Sequence, residues 1–288
     1  MNEITGNYKI LGVIGNPVEH SLSPVFQNYL IRNSKTKYVY IPLKVNVDRL
    51  EDFFLGIRTL ENIKGFNITI PFKERCIIFA DELSEEAKKI GAINTFLIDN
   101  GKFYGFNTDV YGIIFTLKLK LKINELNNRR VLIIGAGGAS KTALYCIKQM
   151  NCDEIFLVNR TKERFDMINN WAKKTLELKL NYIPWEELGY VFSRYSPHLV
   201  INATPLGLNG EKINLDFSKA AKNAKVFDMT YNVNSTYLVK KAQQHGLNAV
   251  DGLTMLVAQG IESFKIWTGI SFETKKVLNY MLRRLKHG

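Results

Sequence analysis

The sequence predicts an α/β fold in two domains, each built on a mainly parallel sheet. Apolar, β-rich runs alternate with helical patterns from residue 8 onward, which is the rhythm of βαβ units. A polar stretch at 124–130 interrupts that rhythm, and a second series of alternations starts at Val131. The chain of 288 residues also exceeds the roughly 100 to 200 residues that one domain usually holds.

Residues 8–14 form the first strand, and a turn at 15–21 presents polar side chains at its carboxyl end. Ser23 before Pro24 reads as an N-cap with proline in the first helical position, opening a helix over 24–32. A strand at 38–45 and a helix at 47–60 follow, then a strand at 65–70 that Pro71 stops, with a helical pattern resuming at Phe72. Asp99-Asn100-Gly101 separates the runs 93–98 and 102–106, a hairpin signal, so the first sheet closes with an antiparallel element. A helical segment after Asp109 leads to the polar break. The second series places strands at 131–134, 154–158, 198–202, 225–229 and 247–250, with a helix at 143–150 after the first of them. The remaining helical patterns, 253–267 and 273–285, could pack on either domain.

Hydrophobic residues make up 46% of the chain and charged residues 23%, which excludes fibrous or largely disordered classes. Cys76, Cys146 and Cys152 are odd in number and form no Cys-x-x-Cys pair, so neither a disulfide framework nor a metal site is expected. Cys76 and Cys146 lie in apolar runs and read as core. The net charge of +12 suits anionic partners. Its clusters at 118–122 and 283–286 alternate with apolar residues, as the solvated faces of packed elements do, so phosphate-bearing small molecules are expected as partners and nucleic acid is not. Residues 1–8 carry no targeting pattern and no run of about 18 apolar residues occurs, so a cytoplasmic location and no membrane partner are expected.

The strand 131–134 runs into Gly135-Ala136-Gly137-Gly138-Ala139-Ser140 and then a helix. In that context the first glycine permits a tight turn, the second lets backbone approach a pyrophosphate, and Ser140 is a small substitute for the third. This is the fingerprint of a Rossmann-type dinucleotide domain. A domain specific for NAD would place an acidic residue about 20 positions on, at the end of the next strand, to hold the ribose hydroxyls. Here that strand ends Val158-Asn159-Arg160-Thr161, and Arg160, supported by Thr161, Lys162 and Arg164, offers a bidentate donor to a 2′-phosphate. NADP is therefore the expected cofactor, although Lys162 and Arg164 read equally well as exposed helix charge. In the first domain, Asn67, Thr69 and Lys73 sit at or just beyond a strand end, where open α/β sheets bind ligands, and Asn67 and Thr69 share a face.

Eight motifs in order then make the sequence resemble the shikimate dehydrogenases over essentially its whole length. They are His20-Ser21-Leu22-Ser23-Pro24, Asn67-Ile68-Thr69-Ile70-Pro71-Phe72-Lys73, Gly91-Ala92-Ile93-Asn94-Thr95 and Gly105-Phe106-Asn107-Thr108-Asp109, followed by Asn159-Arg160-Thr161, Ile201-Asn202-Ala203-Thr204-Pro205, Asp228-Met229-Thr230-Tyr231 and Met255-Leu256-Val257-Ala258-Gln259-Gly260. The resemblance implies reversible reduction of 3-dehydroshikimate to shikimate with NADPH, on the chorismate route of aromatic amino-acid biosynthesis. It implies a catalytic pair of Lys73 and Asp109, with Ser21 and Ser23 on the substrate carboxylate. Thr69, Asn94, Tyr231 and Gln259 would hold carboxylate or ring hydroxyls, with Asn67 among them. Thr204, Met229, Gly252 and Met255 would line the cofactor, although both methionines also read as ordinary packing.

Taken singly, Lys73 reads as a surface helix lysine, Asp109 as a helix N-cap and His20 as a turn residue; the spacing of the motifs joins Lys73 and Asp109 as a pair. A charged lysine there is a natural acid for ketone reduction, while in the oxidising direction Asp109 or a water could share the proton. The implied architecture is a substrate domain of residues 1–107 completed by the returning helices 253–288, and an NADP-binding domain of residues 108–252, in a monomer or homodimer. Two departures stand out. Gln27 occupies a position where many members carry histidine, beneath the serines, and Val233 replaces a common proline in the loop that carries Tyr231. The alternatives are a quinate/shikimate dehydrogenase with relaxed substrate or NAD use, and a binding module that senses NADP(H) without turnover.

Overall fold

The computed structural model describes residues 3–208, 211–232 and 234–287. The chain divides into two compact units, Met1–Asp109 with Leu256–Gly288, and Val110–Met255.

The first unit contains, in chain order, β1 (Lys9–Gly15), α1 (Ser23–Ser34), β2 (Tyr38–Lys44), α2 (Leu50–Ile57), β3 (Ile63–Ile68), β4 (Glu82–Leu83), α3 (Glu85–Ile90), β5 (Thr95–Asp99) and β6 (Lys102–Phe106). Its six strands lie in the order β2-β1-β3-β5-β6-β4. β1 pairs in parallel with β2 and β3, and β6 with β4, while β5 runs antiparallel to both β3 and β6. Asp99 pairs with Lys102, which leaves Asn100 and Gly101 as a two-residue turn with φ of +48° and +75°. A type I′ hairpin requires that left-handed pair, so the hairpin expected from sequence forms. One face of this sheet buries Phe54, Phe66, Phe96 and Phe103; Phe96 meets both Phe54 and Phe103 edge to face.

The second unit takes up the rest of α4 (Asp109–Leu119) and continues with β7 (Arg130–Ile134), α5 (Gly138–Gln149), β8 (Glu154–Asn159), α6 (Lys162–Leu176), β9 (Leu180–Pro184), α7 (Val191–Tyr195), β10 (Leu199–Asn202), β11 (Lys225–Asp228), α8 (Tyr237–Gln244) and β12 (Asn248–Val250). The strands are all parallel, in the order β12-β11-β10-β7-β8-β9. That is the doubly wound arrangement, whose switch point falls between β7 and β10. Buried on both faces, β7 and β10 read as continuous apolar runs. The chain re-enters the first unit within α9 (Leu253–Thr268) and ends in α10 (Thr274–His287). There Gln259, Ser263 and Trp267, spaced four apart, share the face of α9 that meets the sheet, and Tyr29 of α1 stacks on Tyr280 of α10 at 3.9 Å.

Several expectations from sequence need correction. The helix expected from Phe72 is a turn, a short 3₁₀ segment Arg75–Phe79, the two residues of β4, and then α3. Phe72 and Cys76 are fully buried in that stretch, and one turn suffices to bury them. The helix expected over 47–60 is a 3₁₀ turn followed by α2. Ser23 is not an N-cap: Leu22 holds that position, and the Ser23 amide is met by Ser21 Oγ at 3.3 Å. Strand β9 is missing from the sequence expectation, because an edge strand with exposed Asn181 and a closing proline shows neither an apolar run nor a clean alternation. The three cysteines are buried and unpaired with one another, and burial pushes the thiols of Cys76 and Cys152 up to about 12.

Gly65 of β3 lies directly beneath α9. A Cβ there would come within 2.2 Å of the Phe96 carbonyl oxygen and 2.4 Å of Trp267 Nε1, the pair joined by a 2.8 Å hydrogen bond. Gly65→Ala should therefore destabilise the protein by about 1–3 kcal/mol. Denaturant unfolding should show a lower midpoint at an unchanged slope, and an unaltered midpoint would refute the overpacking argument.

Candidate functional site

In the first unit the reversed β5 decides what can meet. Because β5 runs against its neighbours, its amino end lies beside the carboxyl ends of β3 and β6, with Asn67 opposite Thr95 and Thr95 opposite Phe106. Three backbone bonds tie the adjoining loops: Ile68 N to Asn94 O at 2.8 Å, Asn94 N to Phe106 O at 2.9 Å, and Ile93 N to Lys73 O at 2.9 Å. Lys73, Asn94 and Asp109, distant in sequence, thus come to one edge of the sheet.

There Lys73 Nζ donates to Asp109 Oδ2 at 2.5 Å. The lysine side chain is 32% exposed and the carboxylate 10%, so one partner faces outward and the other is enclosed. Asp109 opens α4, but its carboxylate serves Lys73 and Asn94 (3.0 Å), and Lys73 lies in a turn outside any helix. The Asn94 amide also donates to Gln259 Oε1 at 3.1 Å, and its oxygen accepts from Thr108 N at 2.8 Å and Thr95 Oγ1 at 3.0 Å.

Behind this group runs a buried polar chain. Asn67 Nδ2 reaches Thr95 Oγ1 (3.1 Å) and Ser263 Oγ (3.0 Å), and Tyr40 donates to Asn67 Oδ1 at 2.8 Å. The Tyr40 phenol is fully buried; burial holds its pKa well above the usual range, against a hydrogen bond with Ser23. The network thus extends from Lys73 to Ser23. Gln27, four residues after Ser23 in α1, is buried and donates to Gly260 O at 2.8 Å. Ser21 and Thr69 are half-buried on the neighbouring loops, and Gly15 leaves room for the Thr69 methyl, which a Cβ would meet at 2.4 Å.

Sequence reasoning missed Tyr40, Thr95, Thr108 and Ser263. Thr95 and Thr108 stand inside the recognised motifs, and Ser263 is one turn beyond Gln259 on the same helix face. Nothing in the local sequence marks Tyr40.

In the second unit, Gly135 turns out of β7 at φ +108°, and a Cβ there would lie 2.7 Å from Thr204 Cγ2. The Thr204 loop leaves β10, so Gly135 and Thr204 mark the switch point. Gly137 caps α5 with open space where its Cβ would project, and the first turn of α5 carries no acidic residue. Ser140 is fully buried on that helix, as a substitute for a packing glycine must be. Asn202 ends β10 and shapes the Thr204 loop, accepting from Thr204 N at 3.0 Å and donating to Leu206 O at 3.1 Å.

At the end of β8, Asn159 donates to Thr161 O at 2.8 Å, and Thr161 holds the N-cap position of α6. Arg160 and Arg164 are exposed, and Lys162 donates to both oxygens of Asp166, at 2.9 and 3.0 Å. Met229 and half-buried Tyr231 follow β11. Gly252 permits close passage, since a Cβ would meet Met229 O at 2.3 Å, and Met255 is buried in the first turn of α9. Val233 lies outside the described residues.

Three family models match this chain: the shikimate dehydrogenase substrate binding domain over residues 13–96, shikimate / quinate 5-dehydrogenase over 118–244, and the shikimate 5′-dehydrogenase C-terminal domain over 252–279. The shikimate dehydrogenase (NADP+) of Aquifex aeolicus is 41% identical over 269 residues, spanning 92% of this chain and 93% of that protein. The chain belongs to the shikimate dehydrogenase family. Among solved members of the family, one in complex with NADP+ superposes with a TM-score of 0.88 at 30% identity, covering 98% of each chain. The Thermus thermophilus member in complex with NADP(H) and shikimate gives 0.80 at 27% identity, covering 96% of this chain and 99% of that one.

One acidic group of this shikimate dehydrogenase family member lies outside the Lys73 network. Asp228 ends β11, and its Oδ1 accepts from Asn202 Nδ2 and Thr230 Oγ1, both at 2.8 Å. Burial holds its pKa above the ordinary carboxylate range. The folded state thus binds this proton more tightly than the unfolded state, and stability falls as pH rises from the ordinary carboxylate range through the raised value. Asp228→Asn keeps an acceptor and removes the titration. Its thermal midpoint should gain on wild type as pH rises from about 4 to about 8; a difference independent of pH would count against this.

Proposed function

We propose that this chain is an NADP-dependent shikimate dehydrogenase that reversibly reduces 3-dehydroshikimate to shikimate, in the cytoplasm, as a monomer or homodimer. The observation that carries the reading is the Lys73–Asp109 pair, fixed at the carboxyl ends of β3 and β6 by the Asn94 amide. NADPH, when bound, would supply the hydride. As the ketone oxygen gains charge it needs a proton, and the outward-facing Lys73 ammonium is the group to donate it. Asp109 orients that ammonium with one oxygen while its other oxygen is held by Asn94, so the pair is set before substrate arrives. In the oxidising direction the proton returns through Lys73, with Asp109 or a water as the further acceptor.

Ser21 and Ser23 would take the substrate carboxylate, and Thr69, Asn94, Tyr231 and Gln259 the carboxylate or ring hydroxyls. Asn67, its amide committed within the network, supports them from behind. For the cofactor, the turn from Gly135 through Ala136, Gly137 and Gly138 to Ala139 presents backbone to a pyrophosphate at the start of α5. Asn159, Arg160, Thr161, Lys162 and Arg164 would surround the 2′-phosphate, and Thr204, Met229, Gly252 and Met255 the nicotinamide side.

Rates followed at the NADPH absorbance band, with shikimate and quinate each paired with NADP and NAD, should give the highest kcat/KM for shikimate with NADP. A preference for quinate with NAD would overturn the reading. Lys73→Ala should lower kcat by roughly 10²–10⁴ with a much smaller loss of NADP binding. Wild-type protein that binds NADP yet never turns over either substrate would point to a sensing module.

A further inference from the structure

Strand β9 brings two aromatic residues beneath the cations that follow β8. Asn159 pairs with Pro184 at the end of the β8–β9 ladder, so the next residues, Arg160 and Trp185, leave the two strands side by side. The Arg160 guanidinium carbon lies 4.7 Å from the centroid of the Trp185 ring. Trp185 is half-buried and packs against the core of the second unit, so its ring has a fixed seat. Lys162 stands over Tyr182 at 5.9 Å, but its ammonium is held by Asp166. Arg160, by contrast, makes no ion pair with any described residue.

The two cations are therefore held by different means. A carboxylate fixes Lys162 and cancels much of its charge. An aromatic face attracts a guanidinium through its quadrupole, carries no net charge, and leaves the N–H edge exposed. That edge is what recognises a phosphate bidentately. A long, exposed arginine would otherwise lose much rotamer freedom on binding, and seating it beforehand lessens that loss.

We propose that Trp185 is a positioning residue for cofactor choice: it holds Arg160 ready for the 2′-phosphate that distinguishes NADP from NAD. The inference rests on the NADP reading above. Trp185→Leu keeps an apolar side chain against the core but removes the π face, Trp185→Phe keeps a weaker face, and Arg160→Ala removes the cation.

The readouts are the ratio of the dissociation constants for NAD and NADP, measured by calorimetric titration without substrate, and the ratio of kcat/KM with NADP to that with NAD, shikimate held saturating; both ratios should move together. Trp185→Leu should lower the ratio about tenfold, with the loss in KM for NADP rather than in kcat, and Trp185→Phe should lower it less. In the Arg160→Ala background, Trp185→Leu should leave the ratio where Arg160→Ala alone puts it. An equal loss with both cofactors means that the ring serves the adenosine or the fold, and overturns the inference; so does a tenfold fall that persists without Arg160. A normal Arg160→Ala effect with no Trp185 effect overturns this inference alone. Wild type indifferent to the 2′-phosphate, or an Arg160→Ala ratio equal to wild type, overturns the NADP reading and this inference together.

Discussion

Asn94 carries one amide group and one carbonyl oxygen on its side chain, and both are held by hydrogen bonds within the buried network. The amide meets Asp109 and Gln259, and the oxygen meets the Thr108 amide and the Thr95 hydroxyl. A buried amide left with a missing partner costs about 1–3 kcal/mol, so the strand end, the start of α4 and the face of α9 are each held to one arrangement. The placement of Asp109, and through it Lys73, follows from that constraint. The network behind Asn94 extends it, with Ser263 and Thr95 sharing a 2.8 Å hydrogen bond and Tyr40 closing the far side on Asn67. Fully connected, such a network rigidifies a site.

The second unit solves a comparable problem with an asparagine at a strand end. Asn202 links the loop after β10 to Asp228 of β11, so these two neighbouring strands share one polar joint next to the switch point. Gly135 then fits against Thr204 only because it has no side chain. In both units the strands supply an apolar frame, and one buried asparagine at the end of a strand sets the adjoining loops.

Much of this is legible in the sequence where local chemistry is decisive. The Asn100-Gly101 turn, the apolar strands β7 and β10, and the glycine turn after β7 each carry their own signal, and each takes the expected form. Ser23 misleads because the serine-proline pattern at a helix start does not reveal that Ser21 already satisfies the Ser23 amide. Strand β9 is illegible because adjacent Tyr182 and Ile183, followed by Pro184, break the alternation that marks a half-buried strand, and Trp185 is hidden with it. Tyr40 lies beyond reach for another reason: its partner Asn67 is 27 residues away, and only the pairing of β1 with both β2 and β3 brings them together.

The reversal of β5 has a consequence for how such a chain can change over generations. Its amino end is pinned by Asn94 and by the register at Thr95, where a slip of one position would turn the hydroxyl to the opposite face of the sheet. Its carboxyl end runs out to Asn100 and Gly101, a strand's length away, where the turn is exposed. Insertions and drift are thus tolerable at the tip and forbidden at the root, so one short hairpin holds both the least and the most replaceable sequence of the first unit.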